Sequence, residues 1–381
     1  MSYESIDTLQ KALQEQVFEH TKDAKKAAGR ALGTIVEIIT YYLFKDWGLN
    51  DCMSIERGLP EYGNSDITHN VEFLLHPIVS TQVLEKIPST PVTATKIIAV
   101  TNDYLSEKGF FKKDTTLITS LDILRNSCAF AENDNLLAIA NLSVGNNKEK
   151  GNIEISLLSK KTFAMIECKR VGVEEGCKKG PQTIEKAKQG AYVAQRSSSL
   201  QKIWTDDGQR YGIIYNEGQP IIMPYNQLLE TVIKGEELLK NFILSIGIVS
   251  NHGNWFTSEN KNKELKVLAQ SYDWLLFLTD KGLAQFVTDL LLFPSPRYIP
   301  VKNAFMDSYK AGKKQNIFTK TKIDKEAHRL LCLYFSEKKD EIEQWFNVIS
   351  PDKHTILDLK EMLCLLKEKY RRVIYDSRKE S

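Results

Sequence analysis

The segment Thr162-Phe163-Ala164-Met165-Ile166-Glu167-Cys168-Lys169-Arg170 constrains this chain more than any other, because an apolar run there ends in charge. Side chains alternate between the two faces of a strand, so Phe163, Met165, Glu167 and Lys169 share one face and Ala164, Ile166, Cys168 and Arg170 the other. A carboxylate and an ammonium two positions apart therefore project together from a strand that otherwise belongs in a core. The tripeptide Glu-x-Lys also occurs at 259–261, 264–266 and 337–339, in strongly charged segments that read as loop or exposed helix. Only at 167–169 does it continue an apolar strand.

The preceding segment, Asn152 to Leu158, also alternates, with Ile153, Ile155 and Leu157 on one face. A hairpin closed at Lys160-Lys161 would set Glu154 opposite Glu167 and Asn152 opposite Lys169. Facing residues have Cβ atoms roughly 4.5–5.5 Å apart, where like charges repel. A divalent cation between the two carboxylates would remove that repulsion, and two acids with a lysine around a hard cation suit phosphodiester hydrolysis. Asp134 is the reserve candidate for the first acid. The competing reading is a surface hairpin whose lysines neutralise its glutamates.

The rest of the chain alternates strands and helices, which points to a layered α/β core. Residues 5–46 read mostly as helix, and Ala31 to Leu43 is apolar nearly all round, so it should be buried. Glu37 is the one charge within it, and a charge buried without a partner is costly. Ile67 to His76 reads as a strand closed by Pro77, Ser120 to Phe130 as a helix, and Leu136 to Leu142 as a strand. Pro181 should open a helix running to about Leu200. Further strands are expected at Tyr211–Tyr215, Phe242–Ser250 and Trp274–Thr279. After Phe293-Pro294-Ser295-Pro296 the chain turns charged and helix-rich, so a core at 20–292 and a helical C-terminal region at 297–381 are expected.

Net charge is only +2, but from Lys160 to Lys202 ten basic residues stand against four acidic ones. A basic surface on a near-neutral protein suits a polyanion held at one face, although a solvated charged surface is the commoner cause. The six cysteines form no CxxC pair, so reduced thiols and a cytoplasmic location are expected. No apolar run approaches the roughly 20 residues of a membrane span, and Met1 to Asp7 does not resemble a secretory leader. P-loop and GxSxG motifs are missing, and the histidines show no metal-ligand spacing.

The array of acid, Glu-x-Lys strand and basic surface resembles the PD-(D/E)xK nuclease superfamily, and within it the type II restriction endonucleases. Those proteins place an acid on one strand and (D/E)xK on the next, antiparallel strand. They often add a glutamate on a preceding helix, to which Gly29 to Glu37 is similar. The pattern departs at the first acid, normally Asp and often after Pro, where this chain has Glu154 after Ile153. The resemblance implies a restriction-endonuclease-like core, a mixed central sheet flanked by helices, with Mg²⁺ held by Glu154, Glu167 and the carbonyl of Cys168. Lys169 would orient the attacking water, and Glu37 would add an outer contact. Lys186, Gln189 and Arg196, on the helix after the motif strand, would contact DNA. The implied function is site-specific cleavage of double-stranded DNA by a homodimer away from any membrane. Another DNA nuclease of the same fold, for repair or junction resolution, and a non-catalytic DNA-binding protein are the alternatives.

Overall fold

The structure is a computed structural model describing residues 6–84, 86–101, 105, 109–144, 151–172, 182–235, 242–252, 262–309 and 316–379. It is a mixed α/β fold. Six strands form the central sheet, in the order Met53–Arg57, Val71–Leu75, Ala164–Gly172, Leu244–His252, Trp274–Leu278 and Phe346–Ser350. The motif strand Ala164–Gly172 runs antiparallel to Val71–Leu75 and parallel to Leu244–His252. Its central position explains its composition: Ala164 to Ile166 are buried on both faces, as are all five residues of Trp274–Leu278.

Helices cover both faces. The helix Ala24–Asp46 starts where the Asp23 side chain accepts the Lys26 amide at 2.9 Å. It buries Ile35, Ile38 and Ile39 in one core with Ile166, Cys168, Ile246 and Ile248. On the other face, Ala187 and Ala191 pack with Val171, Val249 and Leu268, while Val193 and Ala194 pack with Met165 and Leu74. Their small-residue stripe belongs to two short helices, Gln182–Ala187 and Gln189–Ser197, rather than one. Pro181 lies outside the described residues.

Between Val71–Leu75 and the motif strand the chain builds a second sheet, ordered Ile78–Leu84, Gly151–Ser159, Leu136–Val144, Cys128–Glu132 and Phe111–Lys112. This corrects two expectations. The helix expected at Ser120–Phe130 is instead the strand Ile123–Arg125 and the start of Cys128–Glu132, joined by a turn in which Ser127 has φ 45°. Pairing of Ile123–Arg125 with the remote Lys322–Asp324 outweighs local preference there. The hairpin expected at Lys160-Lys161 does not form either. Gly151–Ser159 pairs with Leu136–Val144 and Ile78–Leu84, and the chain then crosses to the central sheet.

The C-terminal region is helical in large part, but Phe346–Ser350 forms an edge of the central sheet and pairs with Trp274–Leu278. Sheet hydrogen bonds through Phe346–Ser350 thus join this region to the core. Among the described residues, no helix is long and apolar enough to cross a membrane.

Candidate active site

Pairing between Val71–Leu75 and the motif strand runs from Ala164↔Leu75 to Ile166↔Phe73 and then stops. The next residues on the two strands are Glu167 and Glu72. There the carboxylates take over from the backbone ladder. The Cys168 amide donates to Glu72 Oε2 at 2.7 Å, and the Glu72 amide lies 3.4 Å from Glu167 Oε2. Backbone amides that would otherwise be buried unpaired are satisfied by side chains. Both carboxylates also hold one ammonium: Lys169 Nζ lies 2.7 Å from Glu167 and 3.0 Å from Glu72.

Glu37 reaches this place from the opposite layer. Three residues further along its helix the Thr40 hydroxyl lies 3.3 Å from Cys168 Sγ, and four residues along Tyr41 stacks on Phe73. These contacts fix the helix against the motif, while Gly29 accepts the Arg170 guanidinium at 2.7 Å. Glu37 meets Lys320, 2.8 Å away, which also lies 3.3 Å from Glu56 and 3.8 Å from Glu72. The cluster therefore holds the carboxylates of Glu37, Glu56, Glu72 and Glu167 against two ammoniums, with a formal charge of −2.

The electrostatics follow from crowding. Burial, and then the charge of Glu72, push the Glu37 carboxyl up to about 7 against the opposing pull of Lys320. The same two causes raise Glu167, opposed by Lys169. Burial works against the Lys169 ammonium, yet Glu72 and Glu167 hold it above the ordinary lysine range, and Glu72 and Glu37 do the same for Lys320. Lys169 so held can donate hydrogen bonds and stabilise negative charge, but it cannot accept a proton.

Two glycines let the walls close on Glu167. A Cβ on Gly190 would sit 2.7 Å from Glu167 Cβ, and one on Gly247, the partner of Glu167 in the parallel ladder, 2.7 Å from the Tyr272 ring. His69 is a further neighbour: burial, and then the charge of Lys169, lower its pKa.

Several expected site residues lie elsewhere. Glu154 stands opposite Val83 and Asn141 in the second sheet, so it does not face Glu167. Asp134 is exposed in the bend before Leu136–Val144. Lys186 is exposed and Gln189 half-buried, while Arg196 is bound to Asp66 at 2.7 Å and lies over the Tyr192 ring. Glu72, Glu56 and Lys320 were not among the expected residues. Glu72 had a signal, being the lone charge in Val71-Glu72-Phe73-Leu74-Leu75. Lys320, in Thr319-Lys320-Thr321-Lys322, had none.

A cation fits the donor set in charge and hardness, since carboxylate oxygens suit Mg²⁺ and the cluster is two charges short of neutral. Geometry sets a limit: among the described residues no three carboxylate, imidazole or thiolate groups converge as a ready-made metal cage. Comparison with protein-family models, curated proteins and solved structures found no match.

Proposed function

We propose that this chain is a divalent-cation-dependent DNA endonuclease of the PD-(D/E)xK type, with Glu72 in place of Glu154 as the first acid. One observation carries the reading: Glu72 and Glu167, on adjacent antiparallel strands, share the Lys169 ammonium. The helix bearing Glu37 before these strands and the helices Gln182–Ala187 and Gln189–Ser197 after them agree with the restriction-endonuclease-like layout. Val71 precedes Glu72, so the departure from the family's Pro-Asp remains.

Glu72, Glu167 and the carbonyl of Cys168 would hold Mg²⁺. When bound, the ion neutralises charge developing on the phosphate oxygens and lowers the pKa of its water. Lys169, held protonated, orients the attacking water and stabilises the hydroxide by its charge. Glu37 sets the position of Lys320 and so the field around Glu72. Lys186 supplies a phosphate contact, with Gln189 and Arg196 on the helix that follows; Arg196 must first leave Asp66. Cleavage of both strands of duplex DNA at a symmetric sequence suits a homodimer, since one site cuts one strand at a time.

The second reading is a non-catalytic DNA-binding protein, favoured by the pairing of both ammoniums with carboxylates. Supercoiled plasmid incubated with Mg²⁺ or with EDTA separates the two. The expected result is linear product with Mg²⁺ only, lost in Glu72→Gln, Glu167→Gln and Lys169→Met and retained in Glu154→Gln. Cleavage surviving in Glu72→Gln but lost in Glu154→Gln would return the first-acid role to Glu154. Uncut plasmid under every divalent cation would leave the binding protein.

A further inference from the structure

Lys320 belongs to the carboxylate cluster but to none of the strands that build it. Its side chain is only 5% exposed, and its ammonium stands among Glu37, Glu56 and Glu72. The backbone that delivers it is pinned. Asn126 donates from its side chain to the Lys320 carbonyl at 3.0 Å and from its amide to the Thr321 carbonyl at 2.9 Å. Just beyond, Lys322–Asp324 pairs with Ile123–Arg125, and just before, the buried Phe318 packs edge-on against Phe305. The placement of this charge is thus built into the fold.

What it is placed between is telling. The ladder of Ile55↔Phe73 and Arg57↔Val71 brackets Glu56 and Glu72, so two glutamates face each other on adjacent strands. Glu56 has a φ of 50°, a left-handed conformation uncommon outside glycine, and its carboxylate turns to Lys320. Glu72 is shared: Lys169 lies on one side of its carboxylate and Lys320 on the other. A carboxylate shared between two positive centres, with further acids on each, is how two-metal phosphodiesterase sites hold their ions.

We infer that Lys320 is a positioning residue that takes the place of a second divalent cation, gathering Glu37, Glu56 and Glu72 and limiting the site to one ion. This rests on the nuclease reading above, but its test does not depend on cleavage. The ammonium carries one charge where an ion would carry two, needs no hydration shell, and stays protonated throughout the working pH range. Removing it leaves Glu37 and Glu56 without their counter-charge and Glu72 with Lys169 alone, and so creates a place for an ion.

The experiment is titration of the full chain with Mn²⁺, counting bound ions by the electron paramagnetic resonance of the free ion. Wild type and Lys320→Arg should each bind one Mn²⁺ in the cluster, Lys320→Gln two, and Lys320→Gln with Glu37→Gln one again. A merely structural lysine would change stability without changing this count. Two ions in wild type, none in wild type, or one in Lys320→Gln overturns the inference. If Lys320→Gln folds only with metal, its unfolding temperature should rise more steeply with Mn²⁺ than that of wild type; failure to fold at any Mn²⁺ concentration also overturns it. One bound ion without plasmid cleavage sinks the nuclease reading alone, whereas two ions in a cleaving wild type sink only the role of Lys320.

Discussion

A methyl group added at Gly190 would land in the wall that supports Glu167. Its carbon would lie 2.7 Å from Glu167 Cβ, 3.3 Å from Glu167 Cγ and 3.3 Å from the Tyr272 hydroxyl. Carbon atoms pack best at roughly 3.5–4.0 Å, so helix and strand must part by about 1 Å. Overpacking of this kind costs about 1–3 kcal/mol. Against it stands the better helix propensity of alanine, worth at most about 1 kcal/mol in a helix interior and less here, since Gly190 is the second residue of Gln189–Ser197. The net expectation for Gly190→Ala is a loss of up to about 2 kcal/mol, with weaker cation binding because Glu167 is displaced. Gly33 provides the control. Beyond its own helix, a Cβ there would meet Arg170 Cδ at 4.0 Å, an ordinary contact in mid-helix. Gly33→Ala should therefore stabilise by about 0.5–1 kcal/mol. Urea unfolding of the two variants, with Mn²⁺ titration of each, reads the contrast. If Gly190→Ala is as stabilising as Gly33→Ala and binds Mn²⁺ like wild type, the close approach of helix to motif strand is refuted.

Three further outcomes are expected. Glu37 binds its proton more tightly when folded, so the stability it contributes is full below the ordinary carboxyl range near 4.5 and is lost as pH rises through about 7. The stability of wild type relative to Glu37→Gln should fall by up to about 3 kcal/mol over that window, and a flat or rising difference curve contradicts it. The difference is needed because His76, held down to about 3 chiefly by burial, loses stability as pH falls below its ordinary range and slopes the other way. Lys202 lies 2.9 Å from Asp273 with both side chains nearly buried, so Lys202→Met should cost about 3–5 kcal/mol in urea unfolding while the Mn²⁺ count per folded chain is unchanged. Lys186→Ala should reduce the salt dependence of DNA binding by a slope of about one, and Arg196→Ala by less, because Asp66 already neutralises that guanidinium; equal slopes in a filter-binding series would count against this.

By itself the sequence determined the elements whose cause is local. The apolar run before Glu167 made a strand, the apolar helix around Glu37 a buried one, and Trp274 to Leu278 a strand, because such patterns are carried by neighbouring residues. Alternation also put Glu167 and Lys169 on one side of their strand. It could not say which strand lies alongside. Adjacency in sequence suggested Glu154, but residues 78–159 fold largely into a sheet of their own and leave Glu72 as the neighbour in space. Only the tertiary structure decided that, and only it brought Lys320 across about three quarters of the chain to Glu37. The physical reason is the range of the forces. Periodicity is read within one turn or one pleat, whereas the cost of burying a carboxylate depends on counter-charges that arrive only when distant apolar faces have closed on one another.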